Sequence, residues 1–271
     1  MKKYRLGFIG CGNMARAIIG CLNGESVKYL LKLNKIKLDI YGYDADTSKS
    51  RNIKGLTESP DAKTLTEVCD IVFLSVKPQN AADAVKDLSL NGKIVVSIMA
   101  GVSLSRLSEL TGAEKLVRVM PNLNARVGAS FNAFCPIGLN AEEEHTVKLL
   151  LESFGETVKV DERDMNAVTG IAGSGPAFVF MFIKAFTDAG VQYGFDYALA
   201  RKMAVATVVG SAYNIESDPD SDLDAMISSV CSKGGTTIRG VNRLNEGKFC
   251  ETVQDAISCA VKRAEEMERG E

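Results

Sequence analysis

The chain has 271 residues, 46% of them hydrophobic and 24% charged, with a formal net charge of -2 at pH 7. A single core stops growing near about 250 to 300 residues, so this length points to two domains, and the mixed composition excludes a disordered or fibrous chain. The charge balance lacks the basic excess that nucleic acid or an anionic membrane surface demands, and neither partner is expected.

The chain opens on Met1-Lys2-Lys3-Tyr4-Arg5 and runs into an apolar strand, without the apolar core or small-residue cleavage site of a secretory leader. No apolar run is expected to reach the roughly 20 residues of a bilayer span, and a cytoplasmic protein follows. Seven cysteines (Cys11, Cys21, Cys69, Cys135, Cys231, Cys250, Cys259) are odd in number and dispersed, with no CxxC pair. They read as reduced, mostly buried thiols, and no metal site is expected.

Short β-branched runs then alternate with helical stretches, the pattern of a doubly wound, mostly parallel sheet. The predicted strands are Arg5–Ile9, Leu38–Tyr43, Asp70–Val76, Lys93–Met99, Lys115–Met120, Ser130–Cys135 and Thr157–Val160. Ile71–Val76 and Ile94–Met99 are apolar at nearly every position, as central parallel strands covered on both faces should be. Between the first strand and its helix lies Gly10-Cys11-Gly12-Asn13-Met14-Ala15, a GxGxxA fingerprint whose strand and helix context makes it a dinucleotide loop. Gly10 serves the tight turn, Gly12 lets backbone approach a pyrophosphate, and Ala15 permits close helix-to-strand packing, with Cys11, Asn13 and Met14 completing the loop. The phosphates then meet unpaired N–H groups at the positive end of the helix dipole. A tight turn without a ligand is the competing reading.

The second strand ends on Tyr43-Asp44-Ala45-Asp46. A carboxylate there suits a ribose 2′-hydroxyl and NADH, whereas Asp44 as a turn cap with Ser48, Lys49 or Arg51 on a phosphate suits NADPH. Both remain open. The single histidine, His145, follows Glu142-Glu143-Glu144 at an exposed helix start, which argues against an imidazole base.

From about Asp161 the alternation stops, and helices are predicted over Gly175–Gln192, Tyr197–Glu216, Leu223–Val230, Thr236–Asn245 and Glu251–Glu268. This divides the chain into a dinucleotide-binding domain, 1–160, and an all-α dimerisation and substrate-binding domain, 161–271. The run Ala198–Gly210 is apolar around most of its circumference, so a helical homodimer interface is expected to cover it.

Three more places in the chain, the third a pair of motifs in the helical half, resemble, together with the glycine loop, the pyrroline-5-carboxylate reductase family. Val76-Lys77-Pro78-Gln79 resembles its VKPQ, and Arg118-Val119-Met120-Pro121-Asn122 its RxMPN. Gly173-Ser174-Gly175-Pro176-Ala177-Phe178 and Ser232-Lys233-Gly234-Gly235-Thr236-Thr237 resemble its GSGPAY and SPGGTT signatures. The resemblance is collinear over essentially the whole chain. It implies reduction of 1-pyrroline-5-carboxylate to L-proline by NAD(P)H, the last step of proline synthesis, in an interlocked homodimer that can extend to a ring of dimers.

By the same resemblance Val76, Lys77, Pro78, Ala100, Gly101 and Asn122 contact the cofactor. Met99-Ala100-Gly101-Val102 forms the turn beneath the nicotinamide, and Asn122 orients the carboxamide or a water; sheet-end packing explains both segments equally well. Thr237 is the candidate catalytic residue, its hydroxyl facing the ring nitrogen. Ser232, Gly234, Gly235 and Thr236 join it in holding the imino-acid substrate, the backbone N–H groups cradling the carboxylate. A plain Gly-rich helix cap is the alternative.

The chain departs from the family at Leu123-Asn124, where a Thr-Pro pair is usual, at Lys233 in place of proline, and at Ser217–Asp222, where a His-Pro pair is usual. These departures bear on substrate identity and keep open a reductase of another cyclic imino acid, with a six-membered ring or a 2-carboxylate. A β-hydroxyacid dehydrogenase using Lys184 and a non-catalytic dinucleotide-binding sensor are the remaining rivals.

Overall fold

The computed structural model describes residues 1–271. Two compact units divide the chain: Met1–Ser174 with Cys259–Glu271, and Gly175–Ser258. The first is built on eight strands: β1 (Lys2–Ile9), β2 (Ile36–Tyr43), β3 (Thr57–Glu58), β4 (Ile71–Leu74), β5 (Ile94–Ser97), β6 (Lys115–Met120), β7 (Ser130–Ile137) and β8 (Gly155–Lys159). Their spatial order is β3-β2-β1-β4-β5-β6-β7-β8. All neighbours run parallel except β6 and β7. The two-residue β3 was not predicted, being too short to show a period-2 pattern.

The near-continuous apolar character of β4 has its reason in the two faces it serves. Ile71 and Phe73 enter one core cluster, and Val72 and Leu74 enter the other. Phe73 stacks on Phe8 of β1 with ring centroids 4.7 Å apart, and each such buried side chain contributes about 1.5–3 kcal/mol. Helix Asn13–Leu22 buries Ala15, Ile18, Ile19 and Leu22, spaced as one helical face requires. Helix Ala141–Glu152 begins at a capping box between Asn140 and Glu143, with Glu142, Glu143 and Glu144 in the first turn where the dipole favours anions. His145 lies on its exposed face.

The second unit is helical: Gly175–Gln192, Tyr197–Ser217, Leu223–Ser229, Thr236–Glu246 and the start of Phe249–Arg269. The predicted helices therefore form, each within a few residues of its expected ends. The compact unit begins at Gly175 because Met165, in the helical segment before it, is buried with Met120 and Ala133 of the sheet.

Two expectations need correction. Only Cys11 and Cys69 are buried; Cys21, Cys135 and Cys231 are half-buried, and Cys250 and Cys259 are exposed, all seven as free thiols. The exposed pair sits on an amphipathic helix, whose exposed positions carry no signal that separates a thiol from a small apolar side chain. The helical stretch Glu162–Gln192, 31 residues, is also long and apolar enough by length and composition to cross a bilayer. The helix predicted from Gly175 to Gln192 continues back through Thr169–Gly173, a segment for which no helix was predicted. In those residues the helix adopts π geometry, the Ser174 N–H donating to the Thr169 carbonyl at 2.9 Å.

Candidate functional site

Strand β1 has β2 on one side and β4 on the other, so successive crossovers leave in opposite directions. In an open parallel sheet this reversal opens a crevice at the carboxyl ends of the strands. A cleft of 890 Å³ lies there, and Gly10, Cys11, Gly12, Asn13, Asp44, Val76 and Lys77 all line it. Ala15 and Met14 lie beneath, packed in the core. Pro78 opens the single helical turn Pro78–Asn80, a position where its missing N–H costs nothing.

Gly10 adopts φ +92°, and a Cβ there would stand 2.8 Å from the Ser75 carbonyl, so only glycine fits. A Cβ at Gly12 would meet nothing within 4 Å; that side of the loop is open. Helix Asn13–Leu22 carries neither a side-chain cap nor an acidic residue in its first turn. Its first N–H groups thus lack partners, the arrangement that receives a pyrophosphate.

The Cys11 peptide is held at both ends. Its N–H donates to Asp44 Oδ2 at 2.7 Å, and its carbonyl accepts from Arg16 Nε at 3.2 Å. Asp44 Oδ1 accepts from the Asp46 N–H at 2.9 Å, and Arg16 Nη2 donates to the Lys49 carbonyl at 2.6 Å. Asp44 and Arg16 therefore tie the glycine loop to the turn after β2. Burial first, then the Asp44 charge, pushes the Cys11 thiol up to about 12, leaving it protonated and inert.

Of the phosphate candidates, Ser48 and Lys49 line the cleft and Arg51 does not. Sequence reasoning missed Arg16 and Lys86, which with Lys49 and Lys77 set four cations against Asp44 and Asp83 in the lining. The i+4 offset of Arg16 from Gly12, facing the loop from within its own helix, was the available signal. These features fit a dinucleotide: open backbone donors for its phosphates and a carboxylate beside the adenosine end.

Ala100, Gly101 and Asn122 fall outside this lining. Asn122 is 7% exposed, with both ends of its amide engaged. Oδ1 accepts from the Asn124 N–H at 3.0 Å, and Nδ2 donates to the Ala172 carbonyl at 3.0 Å.

The candidate substrate residues belong to the second unit. Gly234 has φ +72°, and Gly235 stands at the N-cap of helix Thr236–Glu246 with its N–H donating to the Ser232 carbonyl at 3.0 Å. Ser232, Thr236 and Thr237 are exposed around this uncapped helix start. Lys184, on which the hydroxyacid alternative rested, is exposed and ion-paired to Asp188 one turn away.

A family model described as pyrroline-5-carboxylate reductase dimerisation matches residues 162–267, and one described as NADP oxidoreductase, coenzyme F420-dependent, matches residues 5–101. The pyrroline-5-carboxylate reductase of Aquifex aeolicus is 37% identical over 268 residues, covering 97% of each chain. The crystal structure of Streptococcus pyogenes 1-pyrroline-5-carboxylate reductase superposes with a TM-score of 0.86 at 33% identity, covering 97% of this chain and 98% of the other. That of Plasmodium falciparum pyrroline carboxylate reductase, with NADP bound, gives 0.87 at 28% identity, covering 98% of both. Similarity of this extent, through both the nucleotide-binding half and the helical half, places the chain in the pyrroline-5-carboxylate reductase family.

Proposed function

We propose that the protein reduces 1-pyrroline-5-carboxylate to L-proline with NAD(P)H, as a homodimer assembled through its helical half. The observation that carries this reading is the glycine loop, pinned open by Asp44 and Arg16 at the sheet's reversal point, in a chain that follows its family from end to end. When bound, the reduced nicotinamide supplies a hydride to the imine carbon. The chain's own residues have a lighter task than in alcohol oxidation, because a protonated C=N is already electrophilic and needs orientation more than a strong base.

In this reading the Thr237 hydroxyl hydrogen-bonds the ring nitrogen and supplies or holds its proton. The N–H groups of Gly235 and Thr236, with Ser232 and the turn made by Gly234, receive the carboxylate. On the cofactor side Gly10 to Ala15, Asp44 and Val76 to Pro78 carry the nucleotide, with Ala100, Gly101 and Asn122 toward the nicotinamide. A functional division near residue 160, a cytoplasmic enzyme without membrane attachment and a ring of dimers belong to the same proposal.

Thr237→Val tests the central role. We expect kcat with pyrroline-5-carboxylate to fall about 10²-fold, the scale of lost proton assistance, while the cofactor Kd holds. Unchanged turnover would remove Thr237 from the chemistry. One observation favours a second substrate reading: Lys233 is exposed and forms no ion pair, a cation where the family has proline. Comparing kcat/KM for five- and six-membered cyclic imines decides between the two.

A further inference from the structure

We infer that Glu268, in the last turn of helix Phe249–Arg269, is a positioning residue that holds this turn of helix, with the Met267 backbone, against the Ala100–Val102 turn for hydride transfer, and that Arg118 is the buried charge that anchors it. The inference rests on the function proposed above, in which that turn lies toward the nicotinamide.

Arg118 is the one charged residue in the interior of the apolar strand β6, and at 1% exposure it is the largest wholly buried side chain in the protein. A guanidinium cannot remain there without counter-charges. Its Nη1 donates to Glu268 Oε1 at 2.5 Å and to Glu162 Oε1 at 3.2 Å, and its Nη2 to Asn166 Oδ1 at 3.4 Å. Asn166 Nδ2 in turn donates to Glu268 Oε2 at 2.6 Å, so both oxygens of Glu268 are engaged. The Arg118 Nε is buried without a partner, which leaves the site dependent on the contacts it does make.

This cluster reaches the Ala100–Val102 turn by two routes. Glu162 Oε1, the oxygen that meets Arg118, also accepts the Leu104 N–H at 2.6 Å at the helix start that follows the turn. Met267, beside Glu268, lies against Gly101 by its Cβ and backbone: a Cβ on Gly101 would stand 2.8 Å from the Met267 Cβ and 3.2 Å from its carbonyl carbon, and the glycine is held at φ +68°. The turn is thus gripped by an apolar contact and by a charged network that share one anchor. The chain leaves the first unit after Ser174 and returns at Cys259, so Asn166 precedes the exit and Glu268 follows the return. Both strands of the connection end on the same guanidinium. Positioning of this kind governs the reacting distance more than the affinity for either reactant.

The test compares Glu268→Gln with the parent enzyme, and Glu268→Asp as the conservative variant. In the cofactor-free protein we expect amide exchange over residues 100–104 to accelerate at least about tenfold in Glu268→Gln, with β4 unchanged. In turnover with NADPH and pyrroline-5-carboxylate, kcat should fall about tenfold in Glu268→Gln and recover in part in Glu268→Asp. KM and the cofactor Kd should stay within about threefold, and the isotope effect with 4-deuterated NADPH should rise. Unchanged exchange at 100–104 overturns the inference, as does a kcat within twofold of the parent or a loss abolished by saturating cofactor. An inactive parent would refute the proposed function instead, and the exchange measurement would still judge the tether.

Discussion

At the scale of single residues, the Cys11 peptide shows how a binding loop is made rigid before its ligand arrives. Asp44 fixes the N–H and Arg16 the carbonyl, so the neighbouring donors need not reorganise on binding. Asp44→Ala removes the acceptor for two backbone N–H groups. We expect the Kd of NADH and NADPH to rise alike, by about tenfold, the value of one charge-assisted hydrogen bond. Nicotinamide fluorescence titration measures both, and a loss confined to NADH would instead assign the carboxylate to the ribose. The buried thiols set a second expectation. Burial first, with a smaller contribution from a neighbouring carboxylate, pushes Cys11 and Cys69 each up to about 12 from 9.0. The unfolded chain therefore releases these protons first, so their stabilising contribution is whole below about pH 9 and lost as pH climbs toward 12. Denaturant midpoints should fall across that window, and replacing both cysteines by alanine should flatten the fall. The spacing of Gly10, Gly12 and Ala15 was legible in sequence because one local turn demands it. The part played by Arg16 was not, since its partners Ser48 and Lys49 lie in the short helix Thr47–Ser50 beyond the next strand.

At the scale of elements, the passage from sheet to helical half turns on Pro176. In α register the Ala172 carbonyl would accept the N–H four residues on, and proline has none. The helix widens to π geometry over Thr169–Gly173, and Asn122 Nδ2 supplies the missing donor to Ala172 at 3.0 Å. Asn122 thereby links the end of β6 to this widened turn. Asn122→Ala leaves a carbonyl unmet and removes the cap on Asn124, a loss of about 1–3 kcal/mol. We expect thermal unfolding to shift down by several degrees, whereas an unshifted Tm would mean that water replaces the amide without cost. Helices Gly175–Gln192, Tyr197–Ser217 and Phe249–Arg269 were legible because each is a run of 18 or more residues without the strand-and-helix alternation of the first half, and Asp196 marks the start of the second. The π segment was not, because Thr169-Gly170-Ile171-Ala172-Gly173 has the composition of a loop and becomes helical only against its neighbours. The cluster of Arg118 with Glu268 lay equally out of reach: a charge within an apolar strand signals a buried partner, yet nothing local says it stands 150 residues away.

At the scale of the whole molecule, the second unit cannot be explained as an isolated fold. Helices Gly175–Gln192 and Tyr197–Ser217 bury only Pro176, Thr187, Ala200 and Ala204 within the protomer. Phe180, Met181, Val209 and Tyr213 stay between 46% and 70% exposed. Apolar surface of that extent costs about 25 cal/mol for every Å² left in water, and it marks an interface. Its match to a dimerisation model over residues 162–267 identifies the cover as a second copy of the chain. A helix enclosed by other helices is as apolar as one enclosed by lipid, so the length and composition of Glu162–Gln192 suit a dimerisation segment as well as a bilayer span. Sequence reached this conclusion through Ala198–Gly210, apolar around most of its circumference despite Arg201 and Lys202, a pattern that the protomer alone would leave without a purpose. Val209→Glu places a charge in the middle of that surface, where a second copy would have to bury it. We expect sedimentation to show a monomer at concentrations where the parent is dimeric, and imine reduction to fall by more than tenfold. Cofactor Kd should change less than twofold, because the residues lining the cleft belong to the first unit. A Val209→Glu protein that remains dimeric would move the interface off this helix, and one that loses cofactor affinity as well would make the nucleotide cleft itself depend on dimerisation.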